Sequence, residues 1–393
     1  MKKKRSSWTL SLLITGNVLG VGILATPIKT GLSGFIPTLL SIIFIWLLMF
    51  ATAIIIANRI EHNKADSFDI PSFFHKHLGK HAYWIAVVAN LILLYGVLTA
   101  YLSGIADIIH GLFGTNTSKS LIIIIYFIIV SLLTLRGMKI LRRGNLYVMF
   151  LIWACFLALI FTSIKAIHIS HLSYTNWWLV PAGLPILVSA FHFHNIVPTV
   201  CHELNYNKEK IRRTIFKGTF IGVIMNIIWV LIVLAALPIN THQPDSILTA
   251  FQHNLPATVP LSNELHSAFF TVAALVFALL AVTSSFMANG TGLLGFMRDL
   301  SNTYLRTENK KIIAMASFGP PLLISLIYPN VFLKAIGVVG GIGETVLFGI
   351  LPALILLKYK TADSKIHRLA YFILAVSVFI FGYEVLASLG LVS

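Results

Sequence analysis

Eleven long apolar runs, separated by short polar segments, leave this 393-residue chain one kind of solvent to fold in. They lie near residues 8–28, 35–57, 82–113, 121–135, 146–167, 180–201, 219–237, 266–287, 312–327, 332–357 and 369–389. Crossing a hydrocarbon core about 30 Å thick takes about 20 helical residues. At that depth the backbone must satisfy its own hydrogen bonds, which a helix does. The fourth and ninth runs are the shortest. Only 11% of the residues are charged, against roughly 25% in a soluble domain, so the polar surface of a water-soluble globule is missing. The expected fold class is an all-α polytopic membrane protein embedded in the lipid bilayer.

The distribution of charge gives a topology. Of the 29 Lys and Arg, 25 fall in alternate connecting segments: the tail Lys2, Lys3, Lys4 and Arg5, then the segments around Arg59–Lys80, Arg136–Arg143, Lys208–Lys217, Arg298–Lys311 and Lys358–Arg368. Only Lys29, Lys119, Lys165 and Lys334 fall on the other side. Basic loops stay in the cytoplasm, so the N-terminus is expected inside and the C-terminus outside. The net charge of +16 is spent on these loops and implies no nucleic-acid partner. Cys155 and Cys201 sit in apolar runs, with neither a disulfide framework nor a metal-ligand spacing. The first residues resemble a signal peptide, but the apolar run continues to Ile28 without a small-residue cleavage site, which predicts a retained span. No linker separates a second domain. The longest polar stretch, 238–265, reads either as a lid over an outer vestibule or as a plain loop.

Two of the spans are interrupted. The sixth carries PILVSAFHFHNIVP over residues 185–198, with Ser189, His192, His194 and Asn195 in its middle and Pro198 closing it. Polar and ionisable groups at membrane depth are costly and face a protein interior, a cavity or a substrate. Proline cannot donate to the helical ladder. A Pro-kinked helix with histidines bonded to neighbouring spans is the plain alternative. The first span carries TGNVLGVGILATP over residues 15–27, in which Gly16, Gly20 and Gly22 weaken the helix and Asn17 adds a polar side chain. Small residues of this kind also serve close helix packing.

Interruptions in spans one and six occupy corresponding places in two five-span halves, the pattern of LeuT-type transporters built from inverted repeats. The expected organisation is one transporter domain over 1–393, with repeats at 8–167 and 180–357 and an additional helix at 369–389. Opened helices offer N–H groups to a carboxylate and carbonyls to an ammonium group. An amino acid substrate fits both.

These segments resemble a known family. GNVLGVGILATP in span one, YGVLTAYLSGIAD in span three, PILVSAFHFHNIVP in span six, AVTSSFMANGTGLLGFMRDL in span eight and FGPPLLISLIYP in span nine are similar, in order, to the hydroxy/aromatic amino acid permeases. These are the bacterial tyrosine- and tryptophan-type transporters of the amino acid–polyamine–organocation superfamily. The resemblance implies proton-coupled import of tyrosine, tryptophan or phenylalanine across the bacterial inner membrane, without a cofactor. By position it assigns Gly16, Gly20 and Gly22 to the unwound part of span one, Phe193, His194 and Pro198 to span six, and Tyr95 and Tyr101 to span three. Asp107 stands at an acidic position of the family. Asn17 and His192 depart from the family pattern, and the imidazole takes room from the pocket. Glu344, in GGIGETVLFG, has no counterpart in it.

The candidate substrate residues are therefore Gly16, Asn17, Gly20, Gly22, Tyr95, Tyr101, Ser189, Phe191, His192, Phe193, His194 and Asn195. Tyr101, Phe191 and Phe193 are expected to stack on an aromatic side chain. For ion coupling, His194 is a group that can exchange protons near neutrality, with His192 beside it. Glu344 is a carboxylate whose mid-span position costs roughly 2.5–3.5 kcal/mol on translocon scales. It either carries a proton or pairs with a buried partner. The rival ion is Na⁺, for which Ala281, Ser284 and Ser285 have the A-x-x-S-S spacing of a sodium site in related carriers, with hydroxyl and carbonyl oxygens as suitable hard ligands. No HExxH, GxSxG or paired-carboxylate arrangement points to a membrane enzyme. A non-transporting sensor of the same fold remains a separate expectation, as does a sodium-coupled carrier of another neutral amino acid.

Overall fold

A computed structural model describes residues 6–20, 22–60, 69–113, 118–136, 139–239, 243–306, 309–359 and 364–392. The basic residues Lys2, Lys3, Lys4, Arg5, Lys64 and Lys360 lie outside these. Within the described residues the chain is helical: α1 (Ser7–Val18), α2 (Gly22–Gly31), α3 (Phe35–Ala57), α4 (Ile70–Leu78), α5 (Lys80–Phe113), α6 (Lys119–Leu135), α7 (Lys139–Ser163), α8 (Val180–Ala190), α9 (Val197–Glu203), α10 (Lys208–Ala236), α11 (Ile247–Gln252), α12 (Thr258–Leu265), α13 (Ala268–Leu300), α14 (Lys310–Ile327), α15 (Phe332–Val338), α16 (Leu351–Lys358) and α17 (Ser364–Ser388). Between α15 and α16 the helix continues through two π-helical stretches, Val339–Glu344 and Val346–Ile350.

All eleven apolar runs have a helical counterpart. Among the described residues, nine helical stretches are long and apolar enough to cross a membrane, and the bent pair α1 + α2 makes a tenth. The fourth run is α6, 17 residues long, which spans about 26 Å as a helix. Starts are set by side-chain caps: Ser118 Oγ accepts from Leu121 N, and Ser267 Oγ from Phe270 N. Hydroxyls inside the spans are satisfied by carbonyls, as where Thr15 Oγ1 donates to both Ser11 O (3.1 Å) and Gly218 O (2.9 Å), tying α1 to α10.

The eighth span is longer than predicted, running to Leu300 rather than ending near Met287. Its polar residues from Ser284 to Thr291 face protein, so they do not terminate the helix; Thr291 Oγ1, for example, donates to Met287 O at 2.7 Å. The stretch 238–265 is not a bare loop. It folds α11 and α12 against one end of the bundle, and Ala257 N donates to Leu24 O of α2 at 2.9 Å. The outward faces are apolar: Leu121, Ile124, Ile125, Ile128, Ile129 and Leu132 of α6 are all exposed, as lipid contact requires. Trp177 and Trp178 are exposed just before α8, where an aromatic belt belongs.

The inside of the bundle gathers five elements. α2 packs on α8, and the π-helical stretch Val339–Glu344 packs on both α8 and α5. α5 in turn packs on α13. The approach of span ten to α8 depends on Gly340, whose place a Cβ would share with the Pro185 carbonyl oxygen.

Candidate transport site

The first span breaks between α1 and α2, whose axes differ by 52°. Gly20 N donates to Asn17 O (3.2 Å) and Ile23 N to Gly20 O (3.1 Å), three-residue turns in place of the α ladder. Helix ends leave carbonyls on one side of such a gap and N–H groups on the other. The sixth span breaks between α8 and α9. There His192 N donates to Ser189 O (3.3 Å) and Ile196 N to Phe193 O (3.0 Å). Pro198, in the first turn of α9, restarts the helix at the place where its missing N–H costs nothing.

The two breaks touch. A Cβ on Gly22 would stand 2.8 Å from Ala190 Cα and 3.2 Å from Ala190 N, so only glycine lets the start of α2 meet the end of α8. Across the gap Asn17 Nδ2 donates to Asn195 Oδ1 at 2.7 Å.

Between the breaks and α5, α13 and span ten lies a cavity of about 40 Å³, lined by Asn17, Val18, Gly20, Gly22, Val97, Ala100, Tyr101, Ser189, His192, Asn195, Ser285, Asn289, Ile336 and Glu344. At roughly 10–15 Å³ per water, this volume holds a few waters. The walls must part to admit an amino acid.

The cavity thus unites Asn17, Gly20, Gly22, Tyr101, Ser189, His192, Asn195, Ser285 and Glu344 from the sequence reading. The other candidates lie elsewhere. Gly16 faces α7, with Met149 Cε 3.2 Å from where its Cβ would be. Tyr95 donates its hydroxyl to Ala316 O of α14 at 2.7 Å. Phe191 and Phe193 are wholly buried and form no part of the cavity wall, so the expected three-ring stack around a substrate is not assembled; of that set, Tyr101 alone lines the cavity. The reason is the break itself, which turns both phenyl rings into the surrounding core once the helical register ends.

His194 is also buried behind the wall. Its Nε2 is 3.0 Å from Thr52 Oγ1, and its ring stacks on Phe348 with centroids 4.4 Å apart. His192 stacks on the same Phe348 at 5.0 Å. The phenyl ring and the two imidazoles form a nearly parallel set, with interplanar angles of 18° and 14°. His192 Nδ1 stands 3.1 Å from Glu344 Oε1. Glu344 is completely buried, and beyond this contact its oxygens, Oε2 above all, have no hydrogen-bond donor among the described residues.

Of the suggested sodium ligands, Ser285 reaches the cavity, while Ser284 Oγ donates back to Ala281 O at 3.0 Å. Asp107 is buried at the far end of α5, with Lys119 Nζ at 2.6 Å from its Oδ1.

Sequence reasoning passed over Asn289, which donates to Tyr101 Oη (3.2 Å) and Ser285 O (3.0 Å). Its spacing of four from Ser285 was the available signal. Val97 and Ala100 share the Tyr101 face of α5 at spacings of four and one. Glu384, a second buried carboxylate, in α17, was also passed over.

The profile of the tryptophan/tyrosine permease family matches residues 3–383. The chain belongs to this family. Its members are permeases rather than enzymes. Among relatives of this permease, the tyrosine-specific transport system 1 of Haemophilus influenzae is 25% identical over 337 residues, covering 84% of this chain and 82% of that protein. The tryptophan-specific transport protein of the same organism is 25% identical over 378 residues, covering 92% and 88%. Among solved structures, the crystal structure of MhsT in complex with L-phenylalanine superimposes with a TM-score of 0.63 at 12% identity, over 98% of this chain and 100% of that one. The permease therefore has the LeuT-type fold anticipated from its two interrupted spans.

Proposed function

We propose that this permease imports aromatic amino acids (tyrosine, tryptophan or phenylalanine) by proton symport through alternating access in a bacterial inner membrane. Residues 8–167 and 180–357 act as the two inverted repeats and 369–389 as the added helix, with the N-terminus cytoplasmic and the C-terminus outside. The observation that carries this reading is the meeting of the two broken spans at Gly22 and Ala190 beside a polar cavity, in a chain of the tryptophan/tyrosine permease family.

In this reading the N–H groups at the start of α2 receive the substrate carboxylate. The carbonyls at the end of α8 receive its ammonium group. Proton coupling falls to the Glu344–His192 pair, 3.1 Å apart on the cavity wall. A carboxylate deep in the bundle is costly unless it is paired, and His192 is the partner beside it on the cavity wall. His194 serves from behind, stacked with His192 on Phe348.

Uptake of labelled tyrosine, tryptophan and phenylalanine into proteoliposomes, under a proton gradient, a sodium gradient or neither, tests the proposal. Accumulation driven by the proton gradient alone is expected. Accumulation only with sodium would overturn the coupling assignment and turn attention to Ser285 and its neighbours. No accumulation of any of the three would overturn the substrate assignment.

A further inference from the structure

The cavity wall is poor in apolar rings for a site that takes an aromatic side chain. Among the described residues its rings are the phenol of Tyr101 and the imidazole of His192, and the Tyr101 hydroxyl already accepts from Asn289. Hydrogen-bonding groups dominate: Asn17, Ser189, His192, Asn195, Ser285, Asn289 and Glu344 all reach the cavity. Most have protein partners. Asn17 is bonded to Asn195, and Asn289 to Tyr101 and Ser285. Two groups on the wall stand apart: His192 Nε2, buried with no partner among the described residues, and Glu344, fully buried, whose Oε1 faces His192 Nδ1 at 3.1 Å while its Oε2 takes no hydrogen bond among the described residues.

Buried polar groups left unpaired cost of order 1–3 kcal/mol, and more when charged. A site containing one therefore favours the ligand that pairs it. Sites built to hydrogen-bond a substrate O–H or N–H reject the analogue lacking it far more strongly than apolar pockets reject a wrong shape. We propose that Glu344, held by His192, is the specificity-determining acceptor for a hydrogen-bond donor on the substrate side chain. The transported class is then aromatic amino acids with a ring-borne donor, the phenol O–H of tyrosine or the indole N–H of tryptophan, and phenylalanine is a poor ligand. This rests on the aromatic amino acid reading above and narrows it. Glu344 lies where the π-helical turn packs on α5 and α8, so parting of the walls around substrate leaves its oxygens as the polar end of the enlarged site.

The experiment is competition against bound labelled tyrosine or tryptophan on the full-length protein in proteoliposomes without ion gradients. The panel pairs each donor with its methyl ether or N-methyl counterpart: tyrosine with O-methyltyrosine, tryptophan with 1-methyltryptophan, and phenylalanine as the bare ring. Wild-type protein is expected to bind tyrosine and tryptophan roughly tenfold or more tightly than the three non-donors. In Glu344→Leu that ratio falls to near one, and Glu344→Gln, which keeps a carbonyl acceptor, retains part of it. A purely structural role for Glu344 would weaken all five ligands together and leave the ratio standing. Aromatic ligands that bind wild-type protein without preference for a donor overturn this inference and spare the broader reading, as does an undiminished ratio in Glu344→Leu. Should Glu344→Leu fail to fold, the wild-type panel and Glu344→Gln still decide. If none of the five ligands binds wild-type protein, the aromatic reading falls and this inference with it.

Discussion

The two broken spans reach the same cavity by opposite means. In span one the interruption is made of small residues: Gly20 and Gly22 open the helix, and little besides Asn17 fills the space. In span six the interruption is crowded. Phe191, Phe193 and His194 turn inward, and the rings of His192 and His194 stack on Phe348 of span ten. The first break offers backbone and the second offers side chains held in a fixed stack. A substrate carboxylate needs the former, because N–H groups must come close without an intervening Cβ. Orientation of imidazoles needs the latter, since a ring outside regular helix is aimed only by what it packs against.

The contrast can be broken at its tightest point. Gly22→Val would press a side chain onto the backbone of Ala190, which has no flexible end to yield. Uptake should fall at least tenfold even where the protein is inserted in normal amounts, and near-normal uptake would mean the breaks do not need to touch.

On the side-chain half, His194→Ala removes a buried ring from Phe348 and takes one of two partners from the Thr52 hydroxyl, which keeps its bond to Met49 O. A loss of about 3 kcal/mol in stability is expected, read as a lower melting temperature in detergent. Equal stability would detach the stack from the fold.

The Asn17–Asn195 hydrogen bond that joins the two breaks should contribute about 1 kcal/mol of coupling in a double-mutant cycle of Asn17→Ala and Asn195→Ala. A coupling indistinguishable from zero would make the breaks independent. The smallest effect belongs outside the cavity: Tyr95→Phe loses its bond to Ala316 O and should change substrate affinity less than about twofold while costing about 1 kcal/mol of stability. A larger loss of affinity would bring span nine into the site.

Spans, interruptions and their meeting were legible because each rests on a local rule: apolar length, costly polar groups at depth, glycine and proline in a helix. Which way a side chain faces was legible only where the helix stays regular. In α5, Tyr95 and Tyr101 are six residues apart and so point about 120° from one another, outside the arc of about 100° that Val97, Ala100 and Tyr101 share. Both cannot face one cavity, whereas Val97, Ala100 and Tyr101 can. The same arithmetic pairs Ser285 with Asn289 and turns Ser284 aside. Inside the break at residues 191–196 no period exists, and nothing in the sequence says that Phe193 and His194 turn away while His192 stays. Glu344 was visible as an oddity, but its neighbour His192 is 152 positions earlier in the chain, and only the packed bundle brings them together.

The π-helical stretches in span ten have a consequence of their own. Each five-residue closure carries one residue more than an α turn, so the faces before and after it are out of phase by about 100°. That surplus residue is slack built into an otherwise stiff rod. Glu344 closes the first such stretch, so the carboxylate at the cavity sits where the helix changes phase, on a face that an unbroken α-helix would have turned elsewhere.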